Sequence, residues 1–157
     1  MVSVKWCLKA RNGIQLVQPN KNMSGSYLKM AEESLNVINK VKNYSKIWLA
    51  TTCYYTLYYC LYSVMIRMGV KCEIHSCSIE LMKRFLFALY DKTEIELIED
   101  AFEIRQDVQY YPDRLLNVGR LNSIANDVSE FIIKTKEITL KLNEKEIQSI
   151  RHKVESE

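Results

Sequence analysis

The sequence predicts an all-α protein, an antiparallel up-and-down bundle of four or five helices. Three observations predict it. Only four glycines and two prolines punctuate 157 residues, far fewer than sheets, barrels or repeat turns require. Apolar residues recur at spacings of three and four along most of the chain, the period of helices with one buried face. Hydrophobic residues make up 48% and charged residues 26%, which suits one domain with a full core and is too apolar for disorder.

Residues 1–22, with Gly13 and Pro19 and no sustained periodicity, read as an irregular N-terminal arm. Ser24 or Ser26 can cap a first helix, because a serine oxygen satisfies free amides of the opening turn. Leu28, Ala31, Leu35, Ile38 and Val41 form its apolar stripe, and Lys40, Lys42, Asn43 and Tyr44 close it. Ser45 can cap a second helix that runs to Met68 and stops at Gly69, a residue type common just past a helix end.

The stretch from Ile47 to Met68 is long enough to invite a membrane reading. Tyr54, Tyr55, Tyr58, Tyr59 and Tyr62 fill its middle, however, and Arg67 lies near its end. Spanning helices are dominated by aliphatic residues, with tyrosines at the edges. The expectation is therefore a buried helix and no membrane association. Apolar or aromatic on both faces, such a helix is central or shared with a second subunit. Its tyrosine hydroxyls need partners when buried, which favours a site or an interface over a dry core.

A connector over 70–75 leads to a third helix from Ser76 or Ser78, with Ile79, Met82, Phe85, Leu86 and Leu89 inward. Asp91 or Thr93 opens a fourth, carrying Ile95, Leu97, Ile98, Ala101, Phe102 and Ile104, and Pro112 bounds it. A fifth starts near Asn117 or Gly119 and continues through Leu121, Ile124, Val128, Phe131, Ile132, Thr135, Ile138 and Leu142. The bundle is thus expected over 23–143, and 144–157 reads as a charged C-terminal tail, helical or frayed.

The formal net charge of +3 speaks first to solubility. Lys5, Lys9, Arg11 and Lys21, and later Lys134, Lys136, Lys141 and Lys145, read as solvated faces, with phosphate contact as the alternative. Five cysteines, an odd count, and the lack of a secretory apolar segment lead to the expectation of a reducing compartment and a cytoplasmic location. Cys72, His75 and Cys77 fall short of the four ligands of a closed zinc site, so neither metal nor cofactor is expected.

No glycine-rich phosphate loop, nucleophile elbow or HExxH motif is present. The polar cluster that stands out is Arg105-Gln106-Asp107-Val108-Gln109-Tyr110-Tyr111 at the end of the fourth helix. An arginine there can hold a phosphate through paired N–H groups. Asp107 and Tyr111, four apart, can hydrogen-bond each other. The alternative is an exposed arginine beside a tyrosine that covers the helix end.

Three segments carry a resemblance. Ala50-Thr51-Thr52-Cys53-Tyr54-Tyr55-Thr56-Leu57-Tyr58-Tyr59-Cys60-Leu61 resembles the A-Y-Y-A-M-F-H-A signature of the second helix in prokaryotic HEPN proteins (higher eukaryote and prokaryote nucleotide-binding domains). Gly69-Val70-Lys71 followed by Ile74-His75-Ser76 resembles their G-I-x-x-K-T-H-S connector. Ala101-Phe102-Glu103-Ile104-Arg105 with Tyr110 resembles their A-x-x-x-R-x-x-x-x-Y segment. The match runs in the same order from Ser24 to Leu142.

The resemblance implies a helical bundle that forms a homodimer, with tyrosines of the second helix lining or bordering the cleft. Many such proteins act with a small nucleotidyltransferase as a toxin–antitoxin pair. Relatives that cleave RNA carry R-x4-6-H, with histidine as acid or base and arginine stabilising phosphate charge. Here Tyr110 stands where that histidine would be, and a phenol titrating near pH 10 is a poor base. His75 could replace it if the fold brought it close; a helix cap or a surface position is the alternative.

The leading expectation is a non-catalytic module binding a nucleotide, an RNA phosphate or a partner protein. Arg105, Asp107, Gln109, Tyr110, Tyr111, Tyr54, Tyr55 and Tyr58 are the candidate site residues. Tyr110 could also accept a nucleotide group, by analogy with relatives. The alternatives are a divergent metal-independent ribonuclease using Arg105 and Tyr110, or a dimeric interaction protein without a site.

Overall fold

The computed structural model describes residues 2–111 and 113–157. Its helices are α1 (Val4–Lys9), α2 (Lys21–Val41), α3 (Lys46–Arg67), α4 (His75–Phe85), α5 (Lys92–Tyr110), α6 (Val118–Lys141) and α7 (Glu144–Glu155). Two short strands, β1 (Gln15–Leu16) and β2 (Val70–Lys71), pair antiparallel, with Gln15 opposite Lys71 and Leu16 opposite Val70. Helix occupies 74% of the chain, in keeping with its scarcity of glycine and proline.

Helix starts follow local side-chain chemistry. Ser45 accepts from the amide of Trp48, Asp91 forms a capping box with Glu94, and Asn117 accepts from the amide of Arg120. α2 begins earlier than the serines suggest. Asn20 is its cap, accepting from the Met23 amide at 2.9 Å. Ser24 lies instead inside the fold, 3.0 Å from the Ser63 hydroxyl, which donates to the Ser24 carbonyl. α4 starts at His75 without a side-chain cap, while Ser78 is buried and bonds back to the Ile74 carbonyl. Pro112, expected to bound α5, lies outside the described residues.

α3 is the centre of the bundle, packed by α2, α5 and α6. Leu49, Cys53, Leu57, Cys60, Leu61, Val64 and Met65 are fully buried on it. Its apolar character all round has that cause. Among the described residues no helix is long and apolar enough to cross a membrane.

The N-terminal arm is more ordered than expected, and the C-terminal tail takes the helical of its two expected forms. The arm over 1–22 holds α1 and β1, and a disulfide between Cys7 and Cys77 ties α1 to α4. That pairing leaves Cys53, Cys60 and Cys72 as buried free thiols. The tail over 144–157 contains α7, opened by an Asn143–Glu146 capping box, with Ile147, Ile150 and Val154 buried at helical spacing. Arg151 on α7 donates to the carbonyls of Val17, Met68 and Gly69, at 2.8, 3.0 and 2.7 Å. A guanidinium thus satisfies carbonyls at the C-terminal end of α3, where the helix dipole favours a cation. Gly69 sits there at a φ of +73°, and a Cβ would come within 2.4 Å of the Val17 carbonyl oxygen.

Candidate functional site

Helical spacing places Tyr54 and Tyr58 one turn apart on α3, with Tyr55 beside them turned toward α5. His75, the first residue of α4, enters this row. Its ring stacks on Tyr58 with centroids 4.2 Å apart and planes 18° apart, and its Nδ1 hydrogen-bonds the Tyr54 hydroxyl. α5 brings Arg105 to the other side. Its Nη2 donates to the Tyr55 hydroxyl at 3.2 Å. The guanidinium carbon lies 5.6 Å from the Tyr54 ring centroid and 5.7 Å from those of Tyr55 and Tyr110, within cation–π range. One turn on, the Gln109 amide donates to Thr51 Oγ1 at 3.2 Å and holds the end of α5 against α3.

The electrostatics follow from burial. Tyr54 is fully enclosed, and burial raises its phenol and that of Tyr58 far above the ordinary value, so both hydroxyls keep their protons. Burial first, and then the Arg105 charge, lowers the His75 imidazole below its usual value. At neutral pH the ring is uncharged, with one nitrogen donating and the other accepting. The cluster therefore offers a half-buried fixed cation, a neutral imidazole and flat aromatic faces. Tyr110 is the exposed wall, 62% accessible.

The structure gathers Arg105, Gln109, Tyr110, Tyr54, Tyr55 and Tyr58 as candidates from the sequence. It separates Asp107 and Tyr111 from them. Asp107 pairs with Arg114 at 2.5 Å, and the Arg114 guanidinium lies 4.0 Å from the Tyr111 ring centroid. The expected Asp107–Tyr111 side-chain bond is thus replaced by an arginine between the two. Tyr54 and Tyr58 are buried within the chain, whereas Tyr55 and Tyr59 on the same helix are half-buried.

His75 is the residue the sequence argument left outside its site list. The only local signal was its place in the connector. Cys77 is bonded to Cys7, and the Cys72 thiol donates to the Ile74 carbonyl, so Cys72, His75 and Cys77 do not assemble a ligand set. No group of three His, Cys, Asp or Glu side chains among the described residues could hold a metal ion. No protein-family model matches this chain, and no curated protein matches it.

Proposed function

We propose that this chain is a phosphate-binding module that holds a nucleotide or an RNA backbone against Arg105. One observation carries the reading. Arg105 is half-buried, pairs with no carboxylate among the described residues, and has an Nε with no hydrogen-bond partner. Arg84, Arg114 and Arg120 are neutralised by carboxylates, and Arg151 donates to backbone carbonyls. Arg67, whose Nε is likewise unpartnered, donates to the Leu142 carbonyl, whereas Arg105 faces a tyrosine hydroxyl. A cation withdrawn from water without a counter-charge is unfavourable, and a bound anion removes that cost. The planar guanidinium matches phosphate, and Tyr110 beside it offers a face on which a base can stack.

The HEPN-like resemblance leads in the same direction. Pairing with a second copy, and with a nucleotidyltransferase as a toxin–antitoxin type pair, belongs to the same proposal. Ile47 and Trp48, exposed at the start of α3, supply an apolar edge for such contacts. The test is fluorescence anisotropy with a short labelled single-stranded RNA and with a labelled nucleotide. Losing one charge-assisted contact of about 1.5–3 kcal/mol, Arg105→Ala is expected to bind roughly tenfold or more weakly. Unchanged affinity in a folded variant sinks the reading.

A ribonuclease reading is favoured by a separate observation, the entry of His75 into the Arg105 cluster. A neutral imidazole at pH 7 is a competent base, whereas Tyr110 is not. Cleavage of RNA in the presence of chelator, lost in both His75→Ala and Arg105→Ala, would establish it. Intact RNA after prolonged incubation would leave the binding module alone.

A further inference from the structure

The N-terminal segment grips the connector that ends in His75 at four successive places. Val17 donates its amide to the Gly69 carbonyl at 2.8 Å. β1 pairs with β2 through Gln15–Lys71 and Leu16–Val70. Asn12, in a left-handed conformation at φ 63°, accepts from the Glu73 amide at 2.9 Å. The disulfide then joins Cys7 to Cys77, in the turn of α4 that begins with His75.

The first turn of α4 has no side-chain cap of its own, so these holds act beside the Tyr54 bond and the Tyr58 stacking in placing His75. Three are ordinary backbone hydrogen bonds or strand pairing. The fourth is covalent and reversible, and it anchors a helix of six residues on which Lys5, Trp6 and Lys9 are exposed. A short helix with an exposed face opens at low free energy, and such opening would admit a reductant to sulfurs that are otherwise enclosed.

We propose that the Cys7–Cys77 disulfide is a redox-controlled strap that sets the position of His75 in the Arg105 cluster. A dithiol supplies the two electrons. One of its thiolates attacks a strap sulfur, the S–S bond breaks, and the second thiol resolves the mixed disulfide. Cys7 and Cys77 each end as a thiol, carrying the two protons of the reductant, which leaves as its own disulfide. With the strap open, α1 detaches and the His75 turn loosens against Tyr54 and Tyr58. The consequence for ligand binding rests on the phosphate-binding reading; the strap does not.

The test uses the full chain, purified without reductant, and reads His75 by NMR with His152 as the internal reference, these being the two histidines of the sequence. Denatured but unreduced protein should expose three titratable thiols, those of Cys53, Cys60 and Cys72, and a dithiol should release two more. On reduction the His75 ring signals should shift, and the Glu73 amide should exchange about tenfold faster or more. The His152 signals and the helical circular dichroism should be unchanged. Affinity for a short single-stranded RNA should fall several-fold and return on reoxidation.

Full thiol reactivity in the unreduced protein would overturn the proposal, as would His75 and Glu73 signals indifferent to reduction. Global loss of helix on reduction would also overturn it, by making the bond a structural staple. A moving His75 with unaltered RNA affinity would remove the regulatory step. If His75 and Glu73 respond while RNA binds in neither state, the strap stands and the phosphate-binding reading falls. A Cys7→Ser variant should reproduce the reduced state without reductant.

Discussion

The hydroxyl of Tyr54 on α3 and Nδ1 of His75 on α4 are joined by a hydrogen bond inside the protomer, while the Arg105 guanidinium lies 5.6 Å from the centre of the same Tyr54 ring. Tyr54 is thus the hinge between imidazole and guanidinium. Tyr54→Phe keeps the ring and removes the bond, leaving a half-buried ring nitrogen without its partner. The expected loss is about 1–3 kcal/mol, measured by urea unfolding. The double exchange of Tyr54 and Tyr58 to Ala is expected to empty part of the core and destabilise the fold itself.

His75 also makes stability depend on pH. Its folded value lies below the unfolded value of about 6.5, because burial and then the Arg105 cation disfavour the imidazolium. The phenols of Tyr54 and Tyr58 facing it stay neutral. Between the folded and unfolded values the unfolded chain binds more protons, so stability rises with pH there. The contribution is fully present above about pH 6.5 and is lost as pH falls below it. Urea midpoints taken from pH 8 to pH 5 should drop in the wild type. His75→Phe should flatten the part of that drop assigned to this residue, and an identical profile would remove it from the argument.

The contrast between Tyr54 and His75 also shows what a sequence can reveal. The tyrosines and Arg105 were legible because each lies on a long helix whose period fixes which residues share a face. Ser45, Asp91 and Asn117 announced helix starts through short-range chemistry. His75 was illegible as a site residue because its place depends on the packing of α4 against α3 and on a disulfide spanning 70 residues. α1, too short to show a period, is tied into the fold by the same long-range bond. A helix over 144–157 was one of the two forms expected, but its docking was hidden, since charged and polar residues surround the stripe of Ile147, Ile150 and Val154.

Gly69 is expected to be intolerant. Its φ of +73° disfavours any side chain, and an added Cβ would meet the Val17 carbonyl oxygen and the Arg151 guanidinium, each at 2.4 Å. Backbone cannot retreat there without breaking the Val17–Gly69 bond and the β1–β2 pairing that follows. Gly69→Ala should cost about 1–3 kcal/mol or more. Faster amide exchange at Val17 and Glu73 would locate the damage in the connector, and a wild-type unfolding midpoint would contradict the account.

The thiols offer a test of the core. Burial pushes Cys53 up to about 12, and it also raises Cys60 and Cys72. Because the thiolate is the reactive form, native protein at pH 8 should react negligibly with an aromatic disulfide reagent over minutes. Denaturant should expose the three together. Fast reaction of one thiol in native protein would mean that its helix is not packed as described. Cys7→Ser should lower stability by about 2–4 kcal/mol, since the bond restricts the unfolded chain over a long loop.

Arg105 and Arg120 make opposite predictions about stability. Arg120 on α6 bonds Asp100 and Glu103 on α5, and those carboxylates raise its value above that of an ordinary arginine. Among the described residues Arg105 has no such partner, and its Nε is buried without an acceptor. Replacing Arg120 by Leu leaves two facing carboxylates unpaired and should destabilise, though by no more than about 1 kcal/mol for a partly exposed network. Replacing Arg105 by Leu removes one hydrogen bond and the tyrosine contacts, but it also removes an uncompensated charge from a half-buried site. The two effects oppose, so the unfolding free energy should stay within about 1 kcal/mol of wild type while RNA or nucleotide binding is lost. Residues kept for binding rather than folding behave this way. A loss of about 3 kcal/mol or more in Arg105→Leu would mark the arginine as a structural element of the α3–α5 contact and would withdraw the phosphate-binding reading.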